Sequence, residues 1–332
     1  MNNYETTLYD AGEVFSGQKS NTPIKGFKAP SHNTPAVDDS FIFGDLAKDL
    51  VVFFLQDDPD PLYIFGDTGT GKSSLVRQVA ARLNYPVWET TGSERLEVSD
   101  LIGHLTLKGG EMSFMDGPLM AAMKAGGVFI LNEIDAANPA VLILLNTLFD
   151  KQPLLIPETN ELISPASTFR FVATANTAGS GDDTGRFTGT NQLNQAFMDR
   201  FTILKAEYPA PADEKALLAA RFPALPEPIR DGMVDIANKV RGVFSGGRQI
   251  GFGKQGVDVV ISTRTLLRWC ELSLCYQGLA SSGISPVLYA LDRAVGFRAG
   301  HEGHAMLLEL CQRVFGTLTN SNSQPDKEQT GS

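Results

Sequence analysis

The sequence predicts an α/β fold, a parallel sheet flanked by helices, followed by a small all-helical domain. Three observations predict it. Between about residues 41 and 208, short apolar runs alternate with stretches of helical spacing, the pattern of a parallel sheet. The run "LYIFGDTGTGKSSLV" passes from a strand through a glycine-rich loop into a helix. Beyond "YPAPADE" the strand signal fades, and apolar residues recur only at helical spacing.

The elements follow in order. Residues 1–40 are rich in Ser, Asn, Pro and Gly without sustained periodicity, which predicts an N-terminal arm that is partly extended or ordered only on assembly. The α/β domain, 41–208, has strands expected at "LYIF" (62–65), "PVWET" (86–90), "VFIL" (128–131), "FRFVAT" (169–174) and "FTILKAEY" (201–208). Between them, "SLVRQVAARL" places Leu75, Val76, Val79, Ala80 and Leu83 on one helical face. "NPAVLILLNTLF" opens with Asn138 as an N-cap and Pro139 in the first turn. The helical domain, 209–316, begins with Ile229, Met233, Ile236 and Val240 at helical spacing. Further helices are expected around Leu266–Leu274, Val287–Val295 and Ala305–Val314. The polar tail, 317–332, is expected to be disordered.

Bulk properties narrow the function. The 332 residues carry a formal charge of −10 and a pI near 4.9, a surface that repels nucleic acid and anionic membranes. Cys270, Cys275 and Cys311 are too few for a disulfide framework and suit a reducing cytoplasm. The start "MNNYETTLYDAGEVF" lacks the basic and then apolar pattern of a secretion signal. "VVFFL" and "AVLILL" are too short to span a bilayer. A soluble cytoplasmic protein with no membrane partner is expected.

The chemistry is concentrated at three strand ends. Gly66, Asp67, Thr68, Gly69, Thr70, Gly71, Lys72 and Ser73, with Ser74 following, have the spacing of a phosphate-binding loop between strand and helix. Its glycines let backbone N–H groups turn inward around a phosphate, and the helix that follows presents its positive end to the same anion. Lys72 is expected to reach the β- and γ-phosphates and Ser73 to ligate Mg²⁺. A nucleoside triphosphate is the implied ligand. "VFILNEID" supplies the second strand end, with Glu133 as general base toward water. Asn132 stands where an Asp normally supports the Mg²⁺ shell, and is expected to act through a metal-bound water. The third strand, "FRFVATANTAG", ends at Asn176, placed to hold the attacking water in line.

These strand ends, followed by "NQAFMDRF" and a helical domain, resemble the AAA+ ATPases. Within them the chain is similar to the MoxR branch and most of all to the CobS type of cobaltochelatase subunit, densest in "TANTAGSGDDTGRFTGTNQLNQAFMDRF" and continuing through "SDLIG", "ARLNYPV" and "STRTLLRWCE". The resemblance spans about residues 40–300. It implies ATP with Mg²⁺ as cofactors, and Arg200 as an arginine finger acting in trans. Arg264 would be the sensor arginine of the helical lid, with Arg268 one turn later as the alternative. "LTLKGGEMSFMDGPLMAAMKAGG" and "LLIPETNELISPASTF" are similar to the two hairpin inserts of the branch, which face substrate or partner. A homo-oligomeric ring, a hexamer, is implied because a finger acting in trans needs a neighbour. So is a partner with a von Willebrand factor A-type domain, CobT-like, in a cobalt chelatase or in another remodelling system. A ring acting on nucleic acid predicts basic hairpin tips, whereas "LKGGEMSF" and "IPETNEL" offer one Lys against three Glu. A non-hydrolysing nucleotide-gated scaffold gains support only from Asn132.

Asn132 departs from the family pattern. It removes one negative charge near Mg²⁺ but leaves a carbonyl able to accept from a metal-bound water. Weaker Mg²⁺ binding and slow but retained hydrolysis are expected, with recovery in Asn132→Asp. Asp135 could compensate electrostatically but is placed beyond the strand end, which weighs against it. "HEGH" (301–304) has His-x-x-His spacing, not the four-residue step of two zinc ligands on one helical face, and reads as a surface helix start. Cys270 and Cys275 read as core residues of a helix. "GSGDD" (179–183) reads as a turn.

Overall fold

Successive residues of the central strands are buried in turn on opposite faces of one sheet, which is why those strands read as unbroken apolar runs. The computed structural model describes residues 5–181, 191–244 and 259–316. The chain divides into two units between Glu207 and Tyr208.

The first unit opens with β1 (Thr6–Asp10), α1 (Ala11–Ser16) and β2 (Pro23–Phe27), then α2 (Leu46–Leu55). β1 and β2 form an antiparallel ribbon with Thr6 opposite Phe27 and Asp10 opposite Pro23. This corrects the expectation of an arm ordered only on assembly. Ala11, Ile24 and Phe27 are buried in one cluster with Phe54, Leu83 and Tyr85, and Phe27 N–H donates to the Leu83 carbonyl at 2.9 Å. Asp10 accepts from Glu13 N–H and Ser20 N–H, each at 2.9 Å, and these bonds hold its carboxyl down to about 2.

The sheet elements follow: β3 (Leu62–Phe65), α3 (Lys72–Arg82), β4 (Val87–Thr91), α4 (Val98–Ile102), β5 (Gly103–Lys108), β6 (Glu111–Asp116), α5 (Pro118–Ala125), β7 (Val128–Asn132), α6 (Pro139–Phe149), β8 (Leu154–Ile156), β9 (Glu161–Ile163), β10 (Arg170–Ala175), α7 (Gln195–Met198) and β11 (Thr202–Lys205). The five-stranded parallel sheet runs β11-β3-β10-β7-β4. Two consequences matter for the site. β3 lies beside β10, so the glycine-rich loop and Asn176 leave adjacent strand ends. β4 lies beside β7, with Thr91 opposite Asn132. Val128, Ile130 and Val172 pack on the face that also buries Leu75, Val76, Val79 and Ala80 of α3. Phe129, Leu131 and Phe171 pack on the other, with Leu145, Leu148 and Phe149 of α6. Asn138 caps α6 by accepting from Ala140 N–H at 2.9 Å. The two expected inserts are antiparallel hairpins, β5–β6 and β8–β9. The expected strand at 201–208 is shorter, ending at Lys205.

The second unit is helical: α8 (Pro211–Arg221), α9 (Glu227–Phe244), α10 (Thr263–Cys275), α11 (Pro286–Ala294) and α12 (His301–Phe315). α8 was not expected from spacing; its signal is Pro211 in the first turn with Asp213 and Glu214 beside it. Met233, Ile236, Val240, Leu266, Trp269, Cys270, Leu291 and Leu307 form its core. "HEGH" does start α12, and His304 bonds Asp292 at 2.7 Å. Cys270 is buried but Cys275 is exposed, so the expected core role fails for Cys275. Among the described residues no helix is long and apolar enough to cross a membrane. The expected tail, and Asp182 and Asp183 of "GSGDD", lie outside the described residues.

Candidate active site

The loop between β3 and α3 is built around glycines. Gly66, Gly69 and Gly71 have φ of 150°, 79° and 90°, in the region where side chains are strained. At Gly66 a Cβ would also stand 2.1 Å from the Ala206 carbonyl oxygen, so the loop passes under the end of β11 only as glycine. Gly71 leads directly into α3, whose first-turn N–H groups have no acceptor within the helix. The Lys72 ammonium donates to Gly66 O at 2.6 Å, Asp67 O at 3.1 Å and Asn176 Oδ1 at 3.3 Å. A cation held by neutral oxygens at the mouth of a glycine loop and a helix N-terminus fits a phosphate chain. The residues present therefore suit a nucleotide.

Ser73 follows on α3, and its hydroxyl donates to Asn132 Oδ1 at 2.5 Å. The same oxygen accepts from Thr174 Oγ1 at 3.0 Å. Asn132 Nδ2 points the other way and donates toward Glu89 Oε2 at 3.4 Å. Glu89 in turn forms a two-pronged ion pair with Arg77. A hydroxyl and a carbonyl side by side fit the inner and outer shells of Mg²⁺, which binds a few protein oxygens and keeps its waters. Glu89 and Thr174 escaped sequence reasoning, because their roles depend on which strands are neighbours.

Glu133 sits at φ 53°, ψ 46°, a left-handed conformation that costs a side-chain-bearing residue about 1–2 kcal/mol. It is exposed, and its carboxylate has no hydrogen bond or ion pair among the described residues. A strained, uncommitted carboxylate at the end of a central strand suits a general base. The turn is accommodated by Gly92, where a Cβ would lie 2.4 Å from the Glu133 carbonyl oxygen. Asn176 is half-buried, and its N–H donates to Asp135 Oδ2 at 3.4 Å. Asp135 is 1% exposed and accepts from Thr177 Oγ1 at 3.3 Å, while its Oδ1 has no hydrogen-bond partner among the described residues. Burial pushes its carboxyl above the ordinary range. Asp135 thus lies under the Asn176 strand end, not against Asn132.

Of the two expected arginines, Arg200 belongs to the first unit and Arg264 to the second. Arg200, just past α7, pairs with Asp150 at the end of α6. Arg264 lies in the first turn of α10 in the second unit, exposed, with Arg268 also exposed one turn on. Neither has a hydrogen bond or ion pair among the described residues, so both remain candidates for the sensor. The helix they share is anchored from below. Glu214 and Arg241, 0% and 7% exposed at the side chain, form a two-pronged pair at 2.7 and 2.9 Å. Glu214 also accepts from Thr263 Oγ1 at 2.7 Å, and Arg241 Nε donates to the Ile261 carbonyl at 2.8 Å.

The model of the AAA domain (dynein-related subfamily) matches residues 61–201, and that of the CbbQ/NirQ/NorQ C-terminal region matches residues 214–314. Similar proteins include the aerobic cobaltochelatase subunit CobS of Sinorhizobium sp, 28% identical over 95% of this chain and 93% of CobS. Protein NorQ of Paracoccus denitrificans (strain Pd 1222) is 34% identical over 55% of this chain and 65% of NorQ. Midasin of Giardia intestinalis is 29% identical over 66% of this chain but only 4% of its own length. With a glycine loop, parallel sheet and helical unit that the two models cover in turn, the chain belongs to the MoxR-type AAA+ family, as an AAA+ ATPase of the CobS/NorQ/CbbQ group.

Proposed function

We propose that the chain is a ring-forming ATPase that couples ATP binding and hydrolysis to remodelling of a partner protein. The observation that carries this reading is that the adjacent residues Lys72 and Ser73 bond the strand-end residues Asn176 and Asn132 respectively, with the uncommitted Glu133 following Asn132 in the chain. Lys72 and the loop N–H groups hold the β- and γ-phosphates, and Ser73 ligates Mg²⁺ with Asn132 behind it. Glu133 takes the proton of the attacking water, and Asn176 orients that water. Arg200 acts in the neighbouring subunit's site, where it offsets charge developing on the γ-phosphoryl oxygens. The reading places the protein in a cytoplasmic hexamer.

The hairpins favour a protein partner. Leu107 lies opposite Met112 on β5–β6 and Leu155 opposite Leu162 on β8–β9, and all four are exposed. Exposed apolar side chains on ribbons suit a peptide surface better than a phosphate backbone. CobS is by name a subunit of an aerobic cobaltochelatase, and its match runs along nearly the whole chain. The first candidate role is therefore a motor subunit of a cobalt chelatase with a CobT-like partner bearing a von Willebrand factor A-type domain. The higher identity to NorQ, and a C-terminal unit matched by the CbbQ/NirQ/NorQ model, favour a second role on such a partner outside cobalt chelation.

ATP turnover measured with and without candidate partners, alongside the mass of the assembly, tests the proposal. A stimulated ATPase in a ring supports it. A strictly monomeric chain under ATP, whose turnover is indifferent to Arg200→Ala, refutes the ring.

A further inference from the structure

We infer that Glu89 supplies the carboxylate that position 132 lacks, as a positioning residue that fixes the Asn132 amide for the metal-binding hydroxyl of Ser73. The inference rests on the nucleotide and Mg²⁺ reading above. Glu89 lies on β4 opposite Ile130, and Thr91 lies opposite Asn132. Residues 89, 91, 130 and 132 therefore share one face of the sheet, and Glu89 is the diagonal neighbour of Asn132, within reach of a long side chain.

The hydrogen-bond chemistry then fixes the amide. A carboxylate only accepts, so the Asn132 end that faces Glu89 must be the NH₂. Its Oδ1 is thereby turned to Ser73 and Thr174, both of which donate to it. A serine that offers a lone pair to Mg²⁺ must direct its hydrogen to an acceptor, and Oδ1 at 2.5 Å is that acceptor. A flipped amide would present N–H groups to Ser73 and to the cation, which repels them. The anion on the NH₂ side also polarises the amide toward a more negative oxygen.

Glu89 is itself anchored. Arg77 stands one turn after Ser73 on α3, so both residues lie on the same helical face. The chain Ser73–Asn132–Glu89–Arg77 leaves α3, crosses two strands and returns to it. Arg77 is half-exposed, whereas Glu89 is 19% exposed at the side chain. An aspartate at 132 beside this glutamate would place two carboxylates in contact, each disfavouring ionisation of the other. Asn132 is thus matched to Glu89, and the charge usually carried on the acidic strand sits on the neighbouring one. Asn132→Asp alone consequently does not restore the usual arrangement, contrary to the expectation from sequence; restoration requires Glu89→Gln as well.

Mn²⁺ serves as the probe, titrated into the full chain with one equivalent of ADP and followed by electron paramagnetic resonance. Glu89→Gln is expected to weaken Mn²⁺ about tenfold while ADP binding without metal stays unchanged, the scale of one charge-assisted contact. Glu89→Gln with Asn132→Asp is expected to return within about threefold of the unsubstituted chain, because the carboxylate has moved back to position 132. Mn²⁺ affinity indifferent to Glu89→Gln, or a double variant no tighter than the single, overturns the inference. If Glu89→Gln does not fold, Arg77→Gln decides it: weaker Mn²⁺ supports the anchor, and unchanged Mn²⁺ overturns it. Lys72→Ala separates the two levels. No ADP binding in the unsubstituted chain, or ADP binding equally tight in Lys72→Ala, refutes the nucleotide reading at this loop and this inference with it. An Mn²⁺ affinity blind to Glu89, in a chain whose ADP binding needs Lys72, refutes this inference alone.

Discussion

Arg200 clasps Asp150 of its own chain with two prongs, Nε to Oδ1 at 2.8 Å and Nη2 to Oδ2 at 3.0 Å, while Nη1 donates to the Ala196 carbonyl at 2.6 Å. The pair holds the Asp150 carboxyl below the usual carboxylate range and raises Arg200. A residue proposed to act in a neighbouring subunit is therefore partnered at home, and acting in trans requires it to exchange one anion for another. The pair is exposed, and exposed pairs are weak and screened by salt, so the exchange is readily reversible. Arg200→Ala is expected to lower turnover by about 10³ or more, with nucleotide affinity within a few-fold. Asp150→Asn, which loosens the clasp without removing the finger, is expected to change turnover by only about threefold. Steady-state ATPase rates at rising protein concentration check both.

Lys72→Ala tests the loop itself. Its ammonium lies against Gly66 O, Asp67 O and Asn176 Oδ1, at the loop where a bound phosphate would meet its charge. Losing one charge-assisted contact of about 1.5–3 kcal/mol weakens nucleotide binding about 10- to 150-fold. The thermal midpoint without ligand should move little, which differential scanning fluorimetry with and without ATP can read.

Glu133 links stability to activity. Glu133→Gln keeps the side-chain volume but cannot take a proton, so turnover should fall about 10²–10⁴-fold while ATP binding persists. Glu133→Asn should have the same effect on turnover and also raise stability by about 0.5 kcal/mol, because Asn tolerates φ of 53° better than Glu. Denaturant midpoints check the second claim. A destabilised Asn variant would mean that the turn stores no strain.

How far the site could be read in advance follows from what each part requires. A phosphate cradle needs contiguous residues, so Gly66–Ser73 was legible as a string, and Asn132, Glu133 and Asn176 followed as ends of apolar runs. Those runs were legible because strands buried on both faces leave no polar alternation to obscure them. The partners of these residues were not. Glu89 meets Asn132 only because β4 lies beside β7, and Asp150 meets Arg200 across a separation of fifty residues. The N-terminal ribbon was missed for a different reason. Ile24 and Phe27 are deeply buried, but a five-residue strand set among Pro, Gly and Ser gives too short a pattern to detect. α8 was hidden by its first residue, since Pro211 suits a loop equally well until it is placed in a first helical turn.

Asp135 predicts a pH dependence. Burial raises its folded-state carboxyl above the unfolded value, so the folded chain holds this proton more tightly than the unfolded one. Its contribution is fully present below the unfolded value of about 3.8 and is lost as pH rises through the folded value. Asp135→Asn, which stays neutral throughout, should remove that part of the slope. Denaturant midpoints of the first unit across the acid range should then fall less with rising pH in the variant. An identical slope would show that the raised carboxyl has no thermodynamic consequence.

The Glu214–Arg241 pair offers a test confined to the second unit. Both side chains are buried and share hydrogen bonds with Thr263 and Ile261, at the start of the helix that carries Arg264 and Arg268. Removing one member leaves the other as an uncompensated buried charge, a loss of about 3–5 kcal/mol. Glu214→Ala should therefore unfold the second unit at clearly lower denaturant, while the first unit, with its own sheet core, keeps its transition. Replacing both by apolar residues of similar size should cost far less, because it leaves no stranded charge. The double variant separates folding from function. If it restores stability but not nucleotide-dependent turnover, the pair matters by aiming the start of α10, and so its arginines, rather than by holding the unit together. Restored turnover would show that any well-packed core beneath Thr263 aims them equally well.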